Sequence, residues 1–176
     1  MEMIKNNKNI LNIGITGHRD LKDNCIDFYK MQLNKLLMKL QKENKKLIIL
    51  SQLADGADRL IVQEAISLDI PFRVILPMPK DIYMLDFEEE SKKEFEKLLT
   101  QSDNVTTLPF VENNTIEQIS TYSQQRDSQY ELAGHYISDN CNALVALWDK
   151  KKIGLVGGTG EIVEYHVSKS EYILYH

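Results

Sequence analysis

Four stretches of the 176-residue chain hold residue types that could do chemistry. In GGTGEIVEY, Gly157, Gly158, Thr159 and Gly160 run into Glu161 and Glu164. Glycines at a helix start leave backbone N–H groups open, with a helix dipole behind them, and that combination favours an anion. The stretch fits neither the dinucleotide fingerprint nor the P-loop, because no lysine follows the glycines. Its two carboxylates could satisfy the dipole, hydrogen-bond a sugar or polarise a water. In GITGHRDL, Gly17 permits close backbone approach, Thr16 and His18 are donors, and Arg19 has the forked geometry that suits a phosphate. A tight turn with a solvated arginine explains that stretch equally well.

The third stretch, SQLADGADRL, places Ala54, Asp55 and Gly56 where a strand gives way to a helix. Asp55 would cap that helix, and Gly56 would relieve strain. Asp55 and Asp58 would repel a phosphate, so one of them would instead hold a ribose hydroxyl or Arg59. The fourth stretch, QQRDSQYELAGHYI, sets Arg126 and Tyr130 four residues apart on one helix face, a pairing that suits a phosphate and a stacked base. Trp148 closes an apolar run just before the glycine stretch, either bordering a pocket or packing in the core or an oligomer contact.

Apolar periodicity supplies the elements that must carry these residues. Leu11–Ile15, Leu47–Leu50, Phe72–Leu76, Val105–Leu108 and Ala143–Trp148 are short branched runs that read as strands. Between them, Ile26, Tyr29, Leu33, Leu37 and Leu40 mark one amphipathic helix, and Leu60, Ile61, Ala65 and Leu68 a second. Phe95, Leu98 and Leu99 mark a third. Asn114 and Glu117 resemble a capping box that opens a long helix reaching Ser138. A last helix begins between Gly158 and Glu161. Five strands alternating with five helices imply a three-layer α/β sandwich around a parallel sheet. Ligands then bind beyond the carboxyl ends of the strands. Pro77 and Pro79 predict an irregular segment up to Glu88, either a flap with Tyr83 able to reach a ligand or a surface connection that leads into a solvated acidic helix.

Composition limits the function classes. The length suits one domain spanning 1–176. No apolar run approaches the roughly 20 residues that span a bilayer, and the N-terminus lacks a signal-peptide core, so a cytoplasmic protein is expected. The net charge of −5 argues against a broad basic surface, so nucleic acid is not expected as a partner. Cys25 and Cys141 read as reduced thiols. The four histidines show no His-x-x-x-His spacing, and no metal site or cofactor is expected.

Taken in order, GITGHR, ADGAD, LPMPKDIYMLDF, RDSQYELAGHYI, CNALVALWD and GGTGEIV resemble the SLOG superfamily. Its relatives include the LOG (Lonely Guy) phosphoribohydrolases and the Rossmann domain of DNA-processing protein A. The resemblance runs from about Asn12 to Tyr165, and a bacterial branch tied to nucleotide-based immunity fits best. It implies a Rossmann-like sheet of about five strands that binds a nucleotide-derived small molecule, and relatives of this kind usually form dimers. LOG enzymes carry P-G-G-x-G-T-x-x-E and cleave the base from a nucleoside monophosphate. Gly157, Gly158 and Gly160 match the glycines and Glu164 the glutamate, while Val156 and Glu161 replace the proline and threonine. Arg126 is the counterpart of the LOG arginine, at a longer spacing from the fifth strand. Three activities follow from the resemblance, of which a DNA-handling role, by analogy with DNA-processing protein A, is the weakest given the acidic charge balance. Of the other two, one is a sensor or effector that holds its ligand; the second is an N-glycosidase in which Glu164 or Glu161 and Arg126 do the chemistry.

Overall fold

The computed structural model describes residues 10–43, 46–150 and 156–169, and the five apolar runs form one parallel sheet in it. The strands are β1 (Ile10–Gly17), β2 (Lys46–Ser51), β3 (Phe72–Leu76), β4 (Asn104–Thr107) and β5 (Ala143–Leu147). The helices are α1 (Ile26–Lys42), α2 (Ala57–Ser67), the single turn α3 (Lys80–Tyr83), α4 (Glu89–Leu99), the single turn α5 (Ile116–Ile119), α6 (Gln124–Asn140) and α7 (Thr159–Lys169). The N-terminal stretch judged to lack a signal core lies outside the described residues. No helix among the described residues is long and apolar enough to cross a membrane.

Successive strand side chains point to opposite faces, and the two cores follow that alternation. Ile13, Ile15, Leu47, Ile49 and Val145 pack in one cluster with Leu33 and Leu37 of α1 and Ile61 of α2. Ile48, Leu50, Ile75 and Leu144 pack in the other with Ala133 and Ile137 of α6 and Ile162 of α7. Both faces are thus covered, which is why the strands read as continuous apolar runs rather than alternating ones. On the second face, a Cβ on Gly14 would lie 2.7 Å from Ile137 Cγ2, so α6 rests directly on β1.

The strand order is β4-β3-β2-β1-β5. β1 pairs with β2 on one side and with β5 on the other, so the order reverses at β1. In such sheets the crevice for ligands opens beyond the carboxyl ends of the two strands at that reversal. The loops after β1 and β5 are the ones that line it.

Two local expectations need correction. The capping box is formed by Thr115 and Gln118, not Asn114 and Glu117, and it opens only the single turn α5. The chain breaks at Ser120–Ser123, and the long helix α6 starts afresh with Ser123 Oγ accepting from Arg126 N. The Asn114 side chain instead donates to Gln125 O. The segment after β3 is also more ordered than an irregular flap. It folds as α3 and a 3-10 turn, Met84–Asp86, and buries Met78, Tyr83 and Phe87. The rings of Tyr83, Phe87 and Phe95 meet edge to face or tilted at 4.9–5.8 Å. Tyr83 has no exposed surface, because those apolar contacts outweigh the two prolines' resistance to helix.

Candidate functional site

The site begins where backbone meets backbone. His18 N continues the ladder to Leu147 O at 3.0 Å, and Ala57 N donates to His18 O at 3.2 Å. The loop after β1 is therefore clamped between the end of β5 and the start of α2. Gly17 and Gly56 make this possible. A Cβ on Gly17 would collide with Ala57 Cβ, and one on Gly56, whose φ is +76°, would collide with the carbonyl of Arg19. The first amide of α2 is consumed by His18 O and so is not free for an anion. The His18 ring sits 3.2 Å from an Asp149 carboxylate oxygen across the mouth of the crevice.

One carboxylate organises the side chains here. Asp86, in the 3-10 turn after α3, accepts from Arg126 Nη2 at 2.7 Å, from the Tyr130 hydroxyl, and from Arg19 Nη1 at 3.4 Å. Arg126 is buried, and it also donates to the carbonyls of Ile119 and Ile82. Arg19 is the more open of the two guanidiniums, with 39% of its side chain exposed, and lies over the Tyr130 ring at 5.3 Å. Burial and the Asp86 contact push the Tyr130 hydroxyl well above the usual phenol range. The Tyr83 hydroxyl is buried without a hydrogen-bond partner among the described residues, close enough to feel Arg19, Tyr130 and Asp86.

The glycine stretch after β5 reaches the same place from the other side. A Cβ on Gly157, φ +71°, would lie 3.0 Å from Tyr130 Cβ and 2.8 Å from Glu131 N. Tyr130 thus touches Arg19 with its ring and the Gly157 backbone with its stem. Gly158, Thr159 and Gly160 follow, half-buried, into the first turn of α7. Glu161 is held by His135, Nε2 to Oε1 2.7 Å, and Glu164 lies on the exposed side of α7.

The third candidate loop is occupied in other ways. Asp55 pairs with Arg59 at 2.8 Å and accepts from Ser91 Oγ at 2.6 Å. Arg59 is buried, bonding Leu53 O and Glu94 and lying over the Phe87 ring at 4.8 Å. Asp58 turns back to accept from Ser51 Oγ at 2.7 Å and Gln52 N at 2.8 Å. Its burial raises the carboxyl to about 6, despite those hydrogen bonds and the nearby Arg19. Ala54 is half-buried in the same loop, and Thr16 pairs in register with Ala146 inside the sheet. Trp148 lines a pocket of about 500 Å³ between α1 and β5, together with Phe28, Tyr29 and Leu147. The structure thus joins Arg19, Tyr130 and the glycine stretch, and ties Asp55 and Asp58 into the scaffold.

Sequence reasoning missed Asp86, Gln129 and the grouping of Glu131 and His135 with Glu161. Asp86 sits in the proline-broken stretch LPMPKDIYMLDF, where neither the resemblance nor the prolines give this carboxylate a role. Gln129, fully buried, fixes the loops after β3 and β4 by donating to Pro77 O at 2.6 Å and accepting from Val111 N at 2.5 Å. Its polarity in an apolar helix face was the available signal. Glu131, His135 and Glu161 bring one possible ligand atom each to within 4.8 Å of one another. The spacing Glu131-x-x-x-His135 announces that group, where a search for paired histidines does not.

No family model matches the chain, and no curated protein matches it. Among solved structures, DNA processing protein A (DprA) from Streptococcus pneumoniae is similar over 89% of this chain and 48% of its own, at 15% identity and a TM-score of 0.56. DNA processing protein A from Helicobacter pylori, described for its single-stranded DNA binding mode, is covered over 72% and covers 88% here, at 19% identity and a TM-score of 0.34. The chain spans about half the length of the pneumococcal protein, and likeness at this identity is one of fold. The pneumococcal structure corrects one expectation: the net charge of −5 is no ground for setting nucleic acid aside, since the fold is shared with a DNA-processing protein.

Proposed function

We propose that the chain binds a phosphorylated nucleoside unit, free or within a single strand, at the crevice beyond β1 and β5. The observation that carries this reading is the meeting of Arg19 and the Gly157 backbone on the one residue Tyr130. Arg19 supplies an exposed fork for a phosphate, resting beside Asp86 at 3.4 Å. The start of α7 supplies a positive dipole end, and His18 a further donor at the mouth.

Binding without cleavage fits the side chains better than hydrolysis does. Arg126 has its guanidinium engaged by three acceptors, Glu161 is engaged by His135, and Glu164 points to solvent. The chain then acts as a sensor or effector domain, in keeping with the immunity branch of the superfamily it resembles.

Titration of the wild-type chain and of Arg19→Ala with AMP, inorganic phosphate and a short single-stranded oligonucleotide tests this, with chromatography for released base. Saturable binding of AMP or the oligonucleotide is expected, weakened about 10- to 100-fold in Arg19→Ala, as for loss of a charge-assisted hydrogen bond. AMP and the oligonucleotide distinguish a free nucleotide from a strand. Equal affinity in the variant, or no binding of any of the three, overturns the reading, and robust base release overturns its preference for binding.

A further inference from the structure

We propose that Glu131, His135 and Glu161 form a binding site for one divalent transition-metal ion, with Zn²⁺ the best match to their donors. Helix packing builds the cluster. Glu131 and His135 lie one turn apart on α6 and share a face. The start of α7 lies against it, because Gly134 leaves room for Ile162, whose Cδ1 a Cβ at that position would strike. This close approach sets Glu161, in the first turn of α7, against His135 at 2.7 Å. The His135 ring is stacked on Tyr165, centroids 3.6 Å apart, which holds the imidazole plane.

Two further features point to a cation. Glu161 Oε2 is buried and has no hydrogen-bond partner among the described residues, a costly state for a carboxylate oxygen. Glu131 brings a second carboxylate to the same point, so two acidic side chains converge on one imidazole. A divalent ion would satisfy all three groups together. One imidazole and two carboxylates suit a first-row transition ion such as Zn²⁺, whereas Mg²⁺ and Ca²⁺ prefer oxygen donors throughout. Zinc–ligand bonds of about 2.0–2.2 Å would draw together donor atoms that already lie within 4.8 Å of one another. Three protein ligands leave a fourth position open to water. The ion would pin the first turn of α7, and with it the glycine stretch, to α6. This inference stands whether or not the crevice binds a nucleotide.

The test uses the full chain, stripped with EDTA and titrated with Zn²⁺ by calorimetry, with Co²⁺ absorption as a probe of geometry. One ion per chain is expected, with affinity lowered at least about tenfold in His135→Ala, Glu161→Gln and Glu131→Gln. Glu117→Gln, on α5, should bind as wild type does. Circular dichroism establishes that each variant is folded; should His135→Ala not fold, Glu131→Gln, half-exposed and conservative, decides. Failure of the wild-type chain to take up one equivalent, or undiminished uptake in the folded variants, overturns the proposal.

Discussion

Asp86→Ala should destabilise the chain far more than removal of Arg19, the other half of its most visible ion pair. Asp86 is 9% exposed in its side chain and Arg126 only 3%, so the alanine variant leaves a buried guanidinium without its counter-charge. Two carbonyls, Ile119 O and Ile82 O, still accept from Arg126, but neither carries a charge. Breaking a buried pair in this way typically costs about 3–5 kcal/mol. Arg19 is 39% exposed and 3.4 Å away, so its pairing is screened, and Arg19→Ala should cost no more than about 1 kcal/mol. Against a total stability of about 5–15 kcal/mol, the Asp86 loss is a large fraction. Urea denaturation reads both, as a midpoint lowered by roughly 1–5 M for Asp86→Ala at the slopes of about 1–3 kcal/mol/M usual for small domains. The double variant Asp86→Ala/Arg126→Met should be more stable than Asp86→Ala alone, since the orphaned charge is gone. A loss within about 1 kcal/mol for Asp86→Ala, or a double variant less stable than the single, would refute the view that Asp86 exists here to hold Arg126.

Other consequences are as direct. The Asp58 carboxyl sits near 6 when folded and 3.8 when free, so its contribution to stability is fully present below about pH 4 and is lost as pH rises through 6. Asp58→Asn keeps an acceptor for Ser51 and Gln52, so its stability relative to wild type should grow by about 3 kcal/mol between pH 4 and 7; thermal melts across that range would show no such trend if the carboxyl were unperturbed. Tyr83→Phe removes a buried, unpartnered hydroxyl and should be neutral or stabilising by up to about 1–2 kcal/mol in urea titrations; a clear loss would mean the hydroxyl has a partner. Gly56→Ala forces a Cβ onto the Arg19 carbonyl at a φ of +76°, and should cost more than about 2 kcal/mol by the same titration, whereas a tolerated alanine would mean the two loops are not locked together.

How much of this was legible in the sequence depends on the range of the interaction. Ile48 and Leu50 against Leu47 and Ile49 announce a strand buried on both faces, because period and burial are local properties of neighbouring residues. The start of α7 at Thr159 was equally local. The break before Gln124 was not, since Ser120–Ser123 could continue a helix, and Ser123 wins only because its hydroxyl caps Arg126 N. Asp86 was invisible for a different reason. Its partners lie 40, 44 and 67 residues away, and nothing near it in the chain says that they will meet.

Arg126 shows what that blindness does to functional reasoning. By type and spacing it is a phosphate ligand, and the resemblance to LOG enzymes gives it that role. In the fold its guanidinium already reaches two carbonyls and a carboxylate. Turning it toward a phosphate would exchange one anionic partner for another, take its N–H groups from Ile119 O and Ile82 O, and leave Asp86 with Tyr130 and the more distant Arg19. A charged hydrogen bond returns about 1.5–3 kcal/mol, while each buried acceptor left unmet costs about 1–3 kcal/mol. With two carbonyls and the nearest counter-charge of Asp86 on the losing side, the exchange is unfavourable. Arg19 pays no such penalty, because Asp86 stays paired with Arg126 and Tyr130 when Arg19 swings out. The buried arginine therefore works as the counterweight that keeps Asp86 in place, and the exposed one is the guanidinium that the proposed binding reading calls on.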